Sequence, residues 1–251
     1  MPVVMATDGG RRSRAASFSR RAIPAFTLID LVVSIAIIAL LISLMLPSLS
    51  GIREATRRVI CQSNQKQVGL CMSMYQDDSK GELPPTDWDP KFSRGTTSPQ
   101  NTIIVRKDEP EATFDGLGIL FISQYLNAPQ VFYCPSHHGS YPLATYGARW
   151  REDQSRIVVN FQYRGPARFA AGQSDRKMLV TDGLATRSDY NHNIGSNALR
   201  ADYSVAWIPD FGGSVARLLP LDETDTDAAT KVNDAWQLLD TPASGSSTHA
   251  P

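Results

Sequence analysis

FTLIDLVVSIAIIALLISLML, residues Phe26 to Leu46, is an apolar run broken by only a few polar side chains, among them Ser34, Ser43 and the carboxylate Asp30. At about 1.5 Å per helical residue it reaches roughly 31 Å, the thickness of a bilayer's hydrocarbon core. Hydropathy alone describes a single-pass anchor or an uncleaved signal sequence. Asp30, however, lies inside the run, where an acid needs a partner to be tolerated. Upstream comes a basic segment with Arg11, Arg12, Arg14, Arg20 and Arg21, followed by the small residue Ala25.

The chain has 251 residues, 42% hydrophobic and 20% charged, with 25 basic and 25 acidic side chains. Beyond the apolar run, the chain is long enough for one globular domain with its own core. The neutral total hides an asymmetry between the basic start and the acidic run Asp222-Glu223-Thr224-Asp225-Thr226-Asp227. The arginines abut a membrane-length segment, so they act as a positive-inside signal rather than a nucleic-acid patch. This predicts a single pass through the inner membrane, with a cytoplasmic N-terminus and an extracytoplasmic head. Three cysteines in an exported domain permit one disulfide and leave one thiol over.

Past the run, Pro47 is expected to kink the helix, because it supplies no N–H to the carbonyl four residues earlier. The pattern then turns amphipathic. Ile60, Gln67, Leu70 and Met74 form one stripe, with Cys61, Asn64, Val68, Cys71 and Tyr75 beside it. The helix is predicted to continue to about Gln76 and to stop at Asp77-Asp78-Ser79-Lys80-Gly81. Thr86 to Pro110 is loop-like, with a short strand at Thr102–Arg106, and Leu117 to Leu126 has helical spacing. Short β-prone runs follow at Val131–Tyr133, Ile157–Tyr163, Lys177–Thr181 and Asn197–Ile208, separated by turn residues that favour antiparallel pairing. Trp236–Leu239 is a last short element.

Ala25-Phe26-Thr27-Leu28-Ile29-Asp30 resembles the cleavage and methylation signature of type IV pilins and type II secretion pseudopilins. The resemblance implies a prepilin peptidase that cuts between Ala25 and Phe26, N-methylation of Phe26, and an assembly role for the acid Asp30. Pro47 also matches the helix-kinking proline common in that family. The departures are Ala25 for the usual Gly and Asp30 for the usual Glu. The implied fold class is α+β, a long N-terminal helix packed on a small antiparallel head. Residues 1–25 would be the leader, 26–46 the membrane half of the helix, 47–80 its amphipathic half, 81–240 the head and 241–251 a disordered tail.

Further along, Val131-Phe132-Tyr133-Cys134-Pro135-Ser136 is similar to the aromatic-Cys-Pro-Ser segment of many bacterial prepilin-like proteins. Cys61 to Leu70 resembles their post-membrane helix, which often begins Cys-x-x-Asn. His192 and Asp202, with nine residues between them, match a prepilin-associated signature in which Gly follows the Asp; Tyr203 stands there instead. Because the resemblance covers both Cys61 and Cys134, it implies a disulfide between them, with three free thiols as the alternative.

His137-His138, His192 and Asp182 could be assembled into a metal-hydrolase story, but no His-Glu-x-x-His or Cys-x-x-Cys pattern supports it. Asp182 is expected to bond backbone amides at a strand-ending turn, and His192 to be a structural hydrogen-bonding residue. The Asp222–Asp227 run offers oxygen ligands of the kind calcium takes, without EF-hand spacing. The expectation is therefore no enzyme and no cofactor, calcium being the one alternative. The expected partners are a prepilin peptidase, other pilin or pseudopilin subunits and the inner membrane, with no nucleic acid. The function expected is that of a structural subunit of a pilus or pseudopilus-like filament, periplasmic or on the surface, with protein secretion, adhesion and DNA uptake all open as its purpose. A membrane-anchored periplasmic binding or enzymatic domain is the competing class.

Overall fold

The computed structural model describes residues 27–86, 103–106, 113–152, 155–166, 177–192, 194–222 and 224–241, without the side chains of 47–50. The expected cleavage pair Ala25 and Phe26, the leader and the C-terminal tail beyond residue 241 lie outside the described residues. The chain divides into two compact units between Leu49 and Ser50.

Helix α1 spans Leu28–Asp78 and opens with a capping box. The Asp30 N–H donates to Thr27 Oγ1 at 3.3 Å, and the Thr27 N–H donates back to Asp30 Oδ2 at 3.0 Å. Two amides that the helix cannot satisfy internally are thereby paired. The helical hydrogen-bond pattern runs through Pro47 without a break in the element. From Leu28 to Leu46 every described side chain is exposed.

Within the second unit, α1 turns Cys61, Gln65, Val68 and Met72 inward, all fully buried, at alternating spacings of four and three residues. Of the two neighbouring stripes, Ile60, Gln67, Leu70 and Met74 face outward, with Leu70 61% exposed. Both faces carry apolar residues, so periodicity alone does not choose between them. The choice goes to the face bearing Gly69, where a Cβ would stand only 2.6 Å from Leu199 Cδ1. Beyond its end, Lys80 and Gly81 take positive φ, and the Gly81 N–H closes back on the Gln76 carbonyl at 2.8 Å.

The head is antiparallel throughout. Strands β1 (Ile104–Arg106) and β2 (Ile157–Val158) form a pair. β3 (Phe161–Tyr163), β4 (Met178–Asp182), β5 (Gly195–Arg200) and β6 (Val205–Pro209) form a sheet in sequence order. The run Ile157–Tyr163 thus serves two sheets, and Asn197–Ile208 folds on itself as a hairpin. Tyr203 sits in that turn at φ 62°, in the left-handed region that Gly would occupy without cost. Its hydroxyl donates to Gln76 Oε1 at 2.6 Å, a tie to α1 that no Gly could make.

Val131–Tyr133 is not a strand. Pro129–Phe132 forms a 3-10 turn that lays Phe132 on Trp150, with ring centroids 4.8 Å apart. Helix α2 keeps only Gly118–Ile122 of the expected Leu117–Leu126. The remaining helices are α3 (Leu143–Tyr146), α4 (Ser214–Leu218) and α5 (Ala228–Asp240), the last containing Trp236–Leu239.

Two cores flank the main sheet. Cys61, Val68, Met72, Phe132, Trp150, Phe161 and Leu199 belong to one, and Met178, Ala198, Val232, Trp236 and Leu239 to the other. Ala198 and Leu199 go to opposite sides because successive strand residues alternate faces. The architecture is the α+β, pilin-like arrangement expected. At Gly118 an added Cβ would press on the Val105 carbonyl oxygen and lie 2.9 Å from Val105 Cβ. Gly118→Ala is therefore expected to destabilise the head by about 1–3 kcal/mol, read as a lower denaturation midpoint with an unchanged m value.

Candidate functional site

Four segments far apart in sequence meet at one buried point. Cys61 comes from α1, Cys134 from the stretch after the 3-10 turn, Asp182 from the end of β4 and His192 from the connection into β5. Their candidate ligand atoms all lie within 4.8 Å of one another. Cys134 is 4% exposed, His192 1%, and Cys61 and Asp182 not at all.

Each member is oriented by a bond. The Cys61 thiol donates to Asp182 Oδ1 at 3.0 Å. Asp182 Oδ2 accepts the Asn197 N–H at 2.8 Å and the Ser196 hydroxyl at 3.2 Å. Cys134 Sγ lies 3.5 Å from His192 Nε2 and accepts the Ser136 N–H at 3.4 Å. On the far side of its ring, His192 Nδ1 donates to Glu54 Oε1 at 2.6 Å. Glu54 also accepts the Ser136 hydroxyl at 2.9 Å. Trp207 meets the imidazole edge to face at 5.6 Å, and Arg58 lies over Trp207 at 4.6 Å.

The electrostatics separate the two thiols. Burial, with Cys134 and the Asp182 carboxylate beside it, pushes the Cys61 thiol well above its usual range. Burial also acts to raise Cys134, but hydrogen bonds from Cys61 and His192 outweigh it and hold that thiol low. Burial acts to lower His192, yet Cys134, Asp182 and Glu54 raise it to about 9. Glu54 resists its own partial burial through His192, Ser136 and Arg58, and stays below the usual carboxylate range.

Cys61 and Cys134, expected to be bridged, are brought together but remain free thiols, as does Cys71, whose Sγ donates to the Tyr125 carbonyl at 3.1 Å. Asp182 does bond a backbone amide, as expected, but it also carries a thiol. Of the signature residues, His192 lies in the cluster, whereas Asp202 is exposed and accepts the Ser204 N–H at 2.8 Å in the hairpin turn. His137 and His138 stay outside the cluster. His137 Nδ1 meets Asn191 Oδ1 at 2.6 Å, and His138 Nδ1 meets the Ser136 carbonyl at 3.2 Å. In the acidic run, Asp222 accepts from Thr224, and Asp225 pairs with Lys231 at 2.6 Å.

Sequence reasoning missed the fourfold cluster because no two members are close enough in the chain to form a local motif. Cys61 and Asp182 are 121 positions apart. The available signal was the motifs themselves. Asn64 of Cys-x-x-Asn donates to the Tyr133 carbonyl at 3.1 Å, directly before Cys134, so the two cysteine motifs are one contact. With three free thiols, alkylation of the denatured, unreduced protein should add three labels per chain by mass spectrometry. A single label would mean that two sulfurs are bridged.

Apart from the cluster, Leu28–Leu46 is the one span among the described residues long and apolar enough to cross a membrane, which is compatible with a single-pass anchor. No curated protein and no solved structure matches the chain significantly. A family model described as "Protein of unknown function (DUF1559)" matches residues 50–198, a stretch that holds Cys61, Cys134, Asp182 and His192 and leaves out Asp202. That match covers more than half of the chain, which therefore belongs to this family.

Proposed function

We propose that the protein is a membrane-inserted structural subunit of a pilus or pseudopilus-like filament, matured by a prepilin peptidase that cuts between Ala25 and Phe26. The observation that carries this reading is a helix with exposed apolar side chains, among the described residues, in both of its parts. Leu28–Leu46 is exposed throughout, and beyond it Ile60, Leu70 and Met74 stand outward while the opposite face is buried. An anchor needs lipid around the first part only. Copies packed helix against helix would cover both parts.

Asp30 has two roles to separate. Its Oδ2 accepts the Thr27 hydroxyl at 2.7 Å and the Thr27 N–H at 3.0 Å, so it caps its own helix. Cleavage would create a positively charged amine on Phe26. The carboxylate of a neighbouring subunit would neutralise it inside an apolar core, where salt screens weakly. The capping contact favours a purely local role, and the filament reading requires the intersubunit one.

Asp30→Asn retains an acceptor for the Thr27 amide and removes the charge, whereas Asp30→Ala removes both. Both variants should insert and mature, yet enter sheared filaments about tenfold less or worse, the factor that 1.4 kcal/mol of lost contact produces. Asp30→Glu should assemble. Normal assembly of Asp30→Asn with failure of Asp30→Ala would leave Asp30 only its cap. Normal assembly of Asp30→Ala would return the segment to a plain anchor and favour a tethered binding or enzymatic domain.

Processing is tested separately. A peptidase of this type needs a small residue before the cut, so Ala25→Leu should keep the leader while inserting normally. Intact-mass measurement of the native N-terminus reads the result, and an unchanged mature mass would place the cut elsewhere.

A further inference from the structure

We propose that Cys61, Cys134, Asp182 and His192 bind one divalent metal ion of the zinc class, in a closed four-ligand site that fastens α1 to the head. Four bonds of about 2.0–2.3 Å to a tetrahedral ion place sulfur, nitrogen and oxygen ligands roughly 3.3–3.8 Å apart. The separations fall around that range: Cys61 Sγ to Asp182 Oδ1 is 3.0 Å, Cys134 Sγ to His192 Nε2 is 3.5 Å, and the four ligand atoms all lie within 4.8 Å of one another. An ion drawn between them would pull the four atoms into this shell.

The groups behind the ligands are arranged as a metal site requires. Glu54 accepts the hydrogen bond of the His192 Nδ1–H, which leaves Nε2 facing the cluster in a carboxylate–histidine pairing. The Asn197 amide and Ser196 hydroxyl hold Asp182 Oδ2, so Oδ1, which bonds only the Cys61 thiol, is the oxygen turned to the ion. The Ser136 N–H points at the Cys134 sulfur, where a thiolate accepts it better than a thiol. On binding, two protons leave: one from Cys61, and one shared between Cys134 and His192 Nε2. The ion takes their place.

Donor chemistry selects the metal class. Two sulfurs and an imidazole exclude calcium and magnesium, which take oxygen ligands. With all four positions filled by buried side chains, no site is open for water or substrate, so the ion would be structural rather than catalytic. A disulfide between Cys61 and Cys134 would consume both sulfurs and is the direct competitor.

The test uses the full-length chain purified in detergent without chelator. Metal analysis should find about one zinc per chain for the wild type and for Cys71→Ser, whose sulfur is outside the cluster, and less than a tenth of that for Cys61→Ser. Cobalt added to protein stripped by chelator should give the strong visible bands of a tetrahedral ion together with thiolate-to-cobalt charge transfer. Zinc should raise the melting temperature of the stripped wild type and change the emission of Trp207. Glu54→Gln, which leaves all four ligands in place, should weaken zinc binding about 10–100-fold. Zinc-free protein whose melting temperature and emission ignore added zinc would overturn the proposal. So would a mass two daltons low with Cys61 and Cys134 joined in one peptide pair.

Discussion

The docking of α1 along β5 is the contact on which the head depends, and buried amides set it as much as apolar packing does. The Gln65 side chain, fully buried, donates to the Asn197 carbonyl at 3.0 Å, and Asn197 Nδ2 donates to the Arg58 carbonyl at 3.2 Å. Sliding the helix by a turn would leave these groups unpaired in an apolar setting, at about 1–3 kcal/mol each. An apolar stripe alone would tolerate such a slip. Gly69 against Leu199 then brings the two backbones close enough for both bonds to form.

That register delivers the site. Glu54, Arg58 and Cys61 share the face that Gln65 anchors, so the helix places a carboxylate and a thiol beside the ends of β4 and β5. Cys134-Pro135-Ser136 approaches from the other side, giving its sulfur to the cluster and its hydroxyl to Glu54. The Asn64 bond to the Tyr133 carbonyl fixes that approach. The cluster is therefore part of the joint between helix and head, and both depend on the same alignment.

The same helix leaves a second apolar surface unused. Ile60, Leu70 and Met74 stand exposed on the side away from the buried residues. In the first unit, Leu28–Leu46 is exposed throughout. The capping box at Thr27 and Asp30 meanwhile shows that an acid at the start of an apolar helix can be satisfied locally, so its mere presence does not establish an assembly role.

The sequence by itself determined the long helix, its passage from uniformly apolar to amphipathic, and the antiparallel α+β head. These rest on composition, on local periodicity, or on motifs a few residues long. Only the tertiary structure decided which face of the helix is buried, because Ile60–Met74 and Cys61–Tyr75 are comparably apolar and the winner is the side that fits β5. It also decided that Val131–Tyr133 turns instead of extending, which lays Phe132 on Trp150. Finally, it placed His192 beside Cys61, Cys134 and Asp182. Those side chains converge from four separate segments, and no spacing along a chain encodes a distance across a core.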